Sequence, residues 1–339
     1  MYKNYKSIVP LLICLFALSL HGAEPAIVRL PADSSQTMIQ AALDRLSGGG
    51  EVVLAPGTYE VRRPIMLRHD RQTLRGGGLN TILHLADHAD CPVVILGSPL
   101  TAPGRATTHL RLADLLISGN RLNQQVEFWR PATDGSQLSN SGIDVWEVSD
   151  STVEDVVCRD CRSGGLVTAL TKRLDVRDFT ACDNQFDGLA CYLTEESHFS
   201  RLHLHDNLAA GISLDLSFKH NVIDGAVLSG NNLGIFMRDS RDNSFQDLTI
   251  SKSRSHGIFM AQTASPVAGV WRLCPGTECT GNHFQGLVIT NCGGDAFLVN
   301  NLSCKNNKVR DAHFLNNKKG NLTLAGEALV GIAGMVTSN

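Results

Sequence analysis

Tyr192, Asp215 and Arg238 follow one another at intervals of 23 residues. A phenol, a carboxylate and a guanidinium brought side by side would suit an acidic sugar. The ring can stack on a pyranose, the guanidinium can pair with a uronate carboxylate, and the carboxylate can take a proton or hold a cation. Abstraction of the proton beside a uronate carboxylate requires that carboxylate to be neutralised and a base to reach the carbon. Arg238 would neutralise, assisted by a divalent cation such as Ca2+ on Asp215. Tyr192 would be the base, with Lys219 and His220 in reserve one coil over. Glycoside hydrolysis would instead pair Asp215 with Asp239 or Glu147, the carboxyl separation setting retention or inversion. An Asp–Arg pair that merely decorates a surface would do neither.

The interval is a property of the whole middle of the chain. Gly142, Gly165, Gly188, Gly211, Gly234 and Gly257 are each 23 residues apart and open the phrases GIDV, GLVT, GLAC, GISL, GIFM and GIFM. A fixed period of this size marks a solenoid. Apolar second and fourth places describe a short strand with one face inward. Further apolar columns follow at Val153, Val176, Phe199, Val222, Phe245 and at Cys158, Ala181, Leu204, Val227, Ile250, with turn formers between them. No run carries helical spacing long enough for a helical repeat. Successive turns should therefore stack as strands about 4.8 Å apart.

Columns become faces under this reading. The fifth-place column, Trp146, Ala169, Tyr192, Asp215, Arg238, Ala261, should point outward. So should the third-place column of Asp144, Val167, Ala190, Ser213, Phe236 and Phe259. Trp146, Asp144, Glu147 and Phe236 are thereby substrate-binding candidates. Two insertions, 120–141 with Trp129 and 263–281 with Trp271, enter and leave this strand and could wall a groove. The ninth-place column alternates in sign, Asp150, Arg173, Glu196, Lys219, Asp242, and reads as a structural charge ladder. Asp187 and His256 share a place but lie three coils, about 14 Å, apart. His203 and His205 alternate on a later strand, as ordinary surface histidines do.

Residues 34–46 place Met38, Ile39, Ala42, Leu43 and Leu46 on one face, an amphipathic helix capped by Ser34 or Ser35 that would cover the first coil. Residues 1–23 read as an export signal, with a basic start and an apolar run too short to span a bilayer. Residues 24–339 then form one domain, secreted or periplasmic. In such a compartment some cysteines can pair, and Cys274 with Cys279 is the leading pair; CRDC (158–161) alone is a weak metal or redox signal. The 30 basic and 33 acidic residues give a net charge of -3, which offers no electrostatic case for nucleic acid.

The opening IQAAL, GGGEVVLAPGTYEV and LRGGG, followed by the Gly-Ile/Leu coils, resembles the pectate-lyase-like right-handed parallel β-helix superfamily. The resemblance covers most of the chain. It implies an all-β, single-stranded right-handed parallel β-helix with an N-terminal capping helix, and it leaves activity open among lyases, hydrolases, epimerases, tailspikes and non-catalytic members. Related uronan epimerases carry Asp-Pro-His after Gly-Ile; here Asp144 is followed by Val145 and Trp146, which counts against epimerase chemistry at that coil. The Asp-Asp and Arg-x-Lys sets of polygalacturonase-like hydrolases are likewise missing. The expectation is a lyase acting on an acidic polysaccharide. A hydrolase or epimerase on the same scaffold, or a carbohydrate-binding and adhesion protein without catalysis, stand as alternatives.

Overall fold

The repeating glycines mark places where one coil nearly touches the next. In the computed structural model, which describes residues 26–97, 104–131, 137–261, 278–325, 328–329 and 332–338, a Cβ on Gly165 would lie 2.7 Å from the Gly188 carbonyl oxygen. One on Gly188 would lie 2.8 Å from that of Gly211. No side chain fits such an approach, so the column is held to glycine by spacing alone.

The result is an all-β parallel solenoid of about 11 coils, right-handed like its structural relatives. Ile143–Trp146 pairs in parallel with Val94–Gly97 on one side and with residues 166–169 on the other. The stack continues through 189–192, 212–215, 235–237, 258–260, 297–299 and 322–324. Ile143, Leu166, Leu189, Ile212, Ile235 and Ile258 are fully buried along its inner face. Between strands the chain turns on left-handed residues, among them Glu147, Leu170, Leu193, Leu216 and Asp239 in one column. Asp recurs at other bends, Asp155 with Asp178 and Asp160 with Asp183 and Asp206, because its short polar side chain tolerates that conformation.

Two ladders of buried asparagine tie coils together. Asn184 donates from its side chain to Asn207 at 2.9 Å, and Asn207 does the same to Asn231 at 2.9 Å. A second runs Asn221, Asn243, Asn282, Asn307 with contacts of 3.2, 2.9 and 2.9 Å. Each amide also accepts or donates to backbone of the adjoining coil, which satisfies polar groups at bends that would otherwise be costly to bury. The charge ladder is present over its first three members: Arg173 grips Asp150 with contacts of 2.6 and 2.7 Å and reaches Glu196 at 3.7 Å, and the first contact holds the Asp150 carboxyl down at about 2.

One expectation is corrected by a slip hidden inside the period. Tyr192 faces Asp215 in register, but Glu195 faces Lys219. An extra residue therefore enters between them, at Leu216 and Ser217, which are both left-handed with φ of 51° and 70°. The coil drops a residue again before Gly234, since Ser229 faces Ser251 while Ile235 faces Ile258. Inside this coil the inward residues are thus Ile223 and Leu228; the expected Val222 is half-buried and Val227 is 42% exposed. Lys219 consequently pairs with Glu195 at 3.2 Å rather than with Glu196.

The expected helix spans Gln36–Arg45, with the Ser35 side chain accepting the Met38 N–H at 3.3 Å. Ile39, Ala42 and Leu43 are buried in the core and the helix lies against the strands Gly50–Leu54, Gly57–Val61 and Ile65–Leu67. Met38, expected on that face, is 48% exposed. Residues 1–23 and most of the second insertion, 262–277, lie outside the described residues. The first insertion contributes the short 3-10 turn Arg121–Asn123 and an antiparallel hairpin of Phe128–Pro131 with Gln137–Ser139. Among the described residues no helix is long and apolar enough to cross a membrane.

Candidate functional site

The strand Leu189–Glu195 and its successor Ala210–Asp215 set Tyr192 directly beside Asp215. The next coil brings Arg238 onto the Asp215 carboxylate through a very short ion pair with Oδ2, while Oδ1 accepts the Leu216 N–H at 2.8 Å. The Leu216 N–H that makes this second contact lies at the slip, where Leu216 and Ser217 are both left-handed. An irregularity of this kind, carried by two consecutive left-handed residues, is a common mark of a functional strand end.

Asp187 completes the group. Its Oδ1 accepts the Ala210 N–H at 2.8 Å, and Ser213 also donates to it. Burial raises its carboxyl to about 7, against which these two hydrogen bonds work. Tyr192 is pushed well above the ordinary phenol range, first by burial and then by the negative fields of Asp187 and Asp215. Burial also raises Asp215, opposed by Arg238. Asp187 and Tyr192 keep partial solvent contact, whereas Asp215 is only 3% exposed. The arrangement is a recessed cluster holding one proton on the phenol and a carboxyl poised to gain or lose one near neutrality.

Beside it lies an aromatic surface. The Phe236 and Phe259 rings are 5.7 Å apart, half-buried and outward; the Arg238 guanidinium sits 5.1 Å from the Phe236 ring and the His256 ring 5.8 Å from Phe259. His256 Nδ1 accepts the Asp295 N–H at 3.0 Å, so in that geometry its proton resides on Nε2. Burial lowers its basicity, consistent with a neutral ring. Asp295 in turn accepts from Thr323 at 2.9 Å.

Other expected site residues are placed elsewhere. Lys219 lines a groove of about 330 Å3 with Glu147, Lys172, Glu195 and Ser217, beyond the slip and away from the phenol. His220 faces Asp242 at 3.8 Å on the following corner. Neither is a reserve base for the cluster. Asp239 is fully buried with Arg241 3.7 Å away, and burial raises its carboxyl; it has no route to a substrate. Glu147 accepts from the Gly104 N–H and turns toward the groove, its carboxyl raised by burial. Asp144 and Trp146, expected on an open face, are 2% and 4% exposed. Burial holds Asp144 well above the carboxylate range, so it is an internal acid group and not a sugar contact. Trp129 and Trp271 fall where side-chain placement lies outside the described residues.

Asp187 stands one place before the repeat glycine, just ahead of the strand that carries Tyr192, and its field reaches that phenol; the sequence signal for it is this position beside Tyr192 on one coil.

The architecture places this chain among the right-handed parallel β-helix proteins. Residues 114–328 match the model of a family described as periplasmic copper-binding protein, NosD, and the chain belongs to that family. No curated protein matches it. Among solved structures it is similar to the A-module of the mannuronan C-5 epimerase AlgE6 from Azotobacter vinelandii, at 17% identity and a TM-score of 0.60, covering 91% of this chain and 97% of that one. It is also similar to the catalytic domain of a GH87 alpha-1,3-glucanase in complex with nigerose, at 13% identity and a TM-score of 0.61, covering 92% and 65%. A third is the tailspike of E. coli bacteriophage HK620 in complex with a pentasaccharide, at 12% identity and a TM-score of 0.61, covering 91% and 57%. At these identities the likeness is one of fold.

The family description raises copper. Among the described residues no three His, Cys, Asp or Glu side chains converge as a metal site, so the described donors do not fit a copper centre. The expected cation on Asp215 meets the same objection, since both oxygens of that carboxylate are already engaged by Arg238 and Leu216.

Proposed function

We propose that the protein is an exported, periplasmic enzyme that acts on a uronic-acid-containing polysaccharide, and that it does so as a lyase. The observation that carries this reading is the gathering of Asp187, Asp215 and Arg238 around Tyr192 across three successive coils, with the Asp187 carboxyl raised by burial to about 7. Arg238 holds Asp215 with one edge while 31% of its side chain stays open to meet a uronate carboxylate. Asp187 then removes the proton on the adjacent carbon. The electron pair forms a carbon–carbon double bond as the glycosidic bond breaks, and the Tyr192 phenol gives its proton to the departing oxygen. This exchanges the expected role of Tyr192: with two carboxylates opposing its ionisation it serves as acid, and Asp187 as base. Phe236 and Phe259 offer flat faces on which a neighbouring sugar can stack. Solved structures with the same fold include an enzyme of a uronan and proteins carrying bound oligosaccharides, and the family description supports the periplasm.

Hydrolysis is the second reading, because two carboxyl groups, Asp187 and Asp215, lie beside Tyr192, one raised by burial to about 7 and the other held by Arg238. End-group analysis on a panel of uronans separates the two. Unsaturated ends appearing in step with reducing ends support the lyase. Reducing ends alone favour hydrolysis, and neither signal, with retention on a glycan column, leaves a binding protein.

A further inference from the structure

We propose that Cys279 and Cys304 form a disulfide that staples two neighbouring coils of the C-terminal half. Thr280 pairs in parallel with Lys305, so the residues just before them are opposite one another in register. The Lys305 N–H donates to the Cys279 carbonyl at 3.2 Å, and the Asn307 side chain donates to the same oxygen at 3.0 Å. Both thiols are fully buried in the core and their side chains are hydrogen-bonded to each other. Register neighbours in stacked strands have the Cα separation a disulfide requires. The leading pair read from sequence, Cys274 with Cys279, is thereby replaced: Cys274 lies outside the described residues, while Cys279 and Cys304 stand as free buried thiols one coil apart.

The position has a mechanical reason. At this corner the ladder has thinned from strands to single bridges, Arg241 with Thr280 and Thr280 with Lys305. A covalent link there holds coils that backbone pairing holds least. Burial of both in the finished fold means that the bond forms as the coils assemble. With glutathione disulfide as oxidant, the Cys304 thiolate attacks it to give a mixed disulfide and one glutathione. Cys279 then displaces the second glutathione. Two thiols of the chain become one disulfide, and the two electrons and two protons leave on two glutathione molecules.

The test is a non-reducing peptide map of the full chain folded with reduced and oxidised glutathione. A peptide joining Cys279 to Cys304, lighter by two hydrogen atoms than its separated halves, is the expected result. Free thiols at both positions, or Cys279 joined to Cys274, overturns the proposal. In parallel, reductant should lower the melting temperature of the wild type by several degrees and leave that of Cys304→Ser unchanged. An equal response of the two to reductant also overturns it, and Cys274→Ser should still show the link. This staple does not depend on the catalytic reading, so either can fail alone.

Discussion

Asp187 concentrates the chemistry of the cluster in one proton. In the proposed role of base it must be ionised, so kcat/KM should climb with pH and level off above about 7, the value to which burial lifts it. Asp187→Asn should remove that inflection and lower the rate by about 100-fold or more; a variant retaining the wild-type profile would exclude this role. The same burial has a stability consequence with a definite sign. The folded carboxyl is raised above its unfolded value, so its contribution is complete below the unfolded pKa and is lost as pH rises through about 7. Melting of Asp187→Asn should therefore gain on the wild type between acid and neutral pH, a difference read by thermal denaturation across that window. His220→Ala, by contrast, should keep wild-type activity, since the ring faces Asp242 on another corner.

Within a single element, the strand end after Gly211 shows what can be read from sequence and what is concealed. The glycine column was legible because its cause is local and repeated: each glycine abuts the next coil's carbonyl. Gly165→Ala should cost about 1–3 kcal/mol by forcing adjacent coils apart, as overpacking does, and denaturant unfolding would measure it. The slip at Leu216 and Ser217 was illegible because a compensating deletion restores the period before Gly234. Val222, Val227, Lys219 and His220 therefore stand one residue out of the glycine-to-glycine count, whereas Tyr192 and Asp215, which precede the slip, pair as the count expects. Burial of Asp144 and Trp146 was unreadable for a different reason. An outward face is known from alternation, but whether other parts of the chain lie over that face is not. The asparagine ladders do recur at nearly the same interval, Asn184, Asn207, Asn231, and belong to the structure. Asn207→Ala removes contacts to two coils and leaves their buried partners unmatched, which should cost about 1–3 kcal/mol in the same unfolding experiment.

As a whole the solenoid is a rigid rack, each coil held by the ones before and after it, so that a functional group can be assembled from residues far apart in sequence without any single loop to position it. The outward face it presents is graded. Trp146 and Asp144 are sealed at one end, and the recessed acid cluster sits at the middle. The phenylalanine pair with the His256–Asp295 contact follows two coils on. Under the proposed function that order would offer an extended glycan a charged reacting position flanked by a stacking surface. The most direct test is the release of unsaturated uronate ends by wild type and Arg238→Ala, assayed together on the same uronan panel with both melting temperatures recorded. Wild-type release, and a loss of about 100-fold or more in the variant at an unchanged melting temperature, is the result the account requires. Full release by Arg238→Ala, or none by the wild type from any uronan, contradicts it.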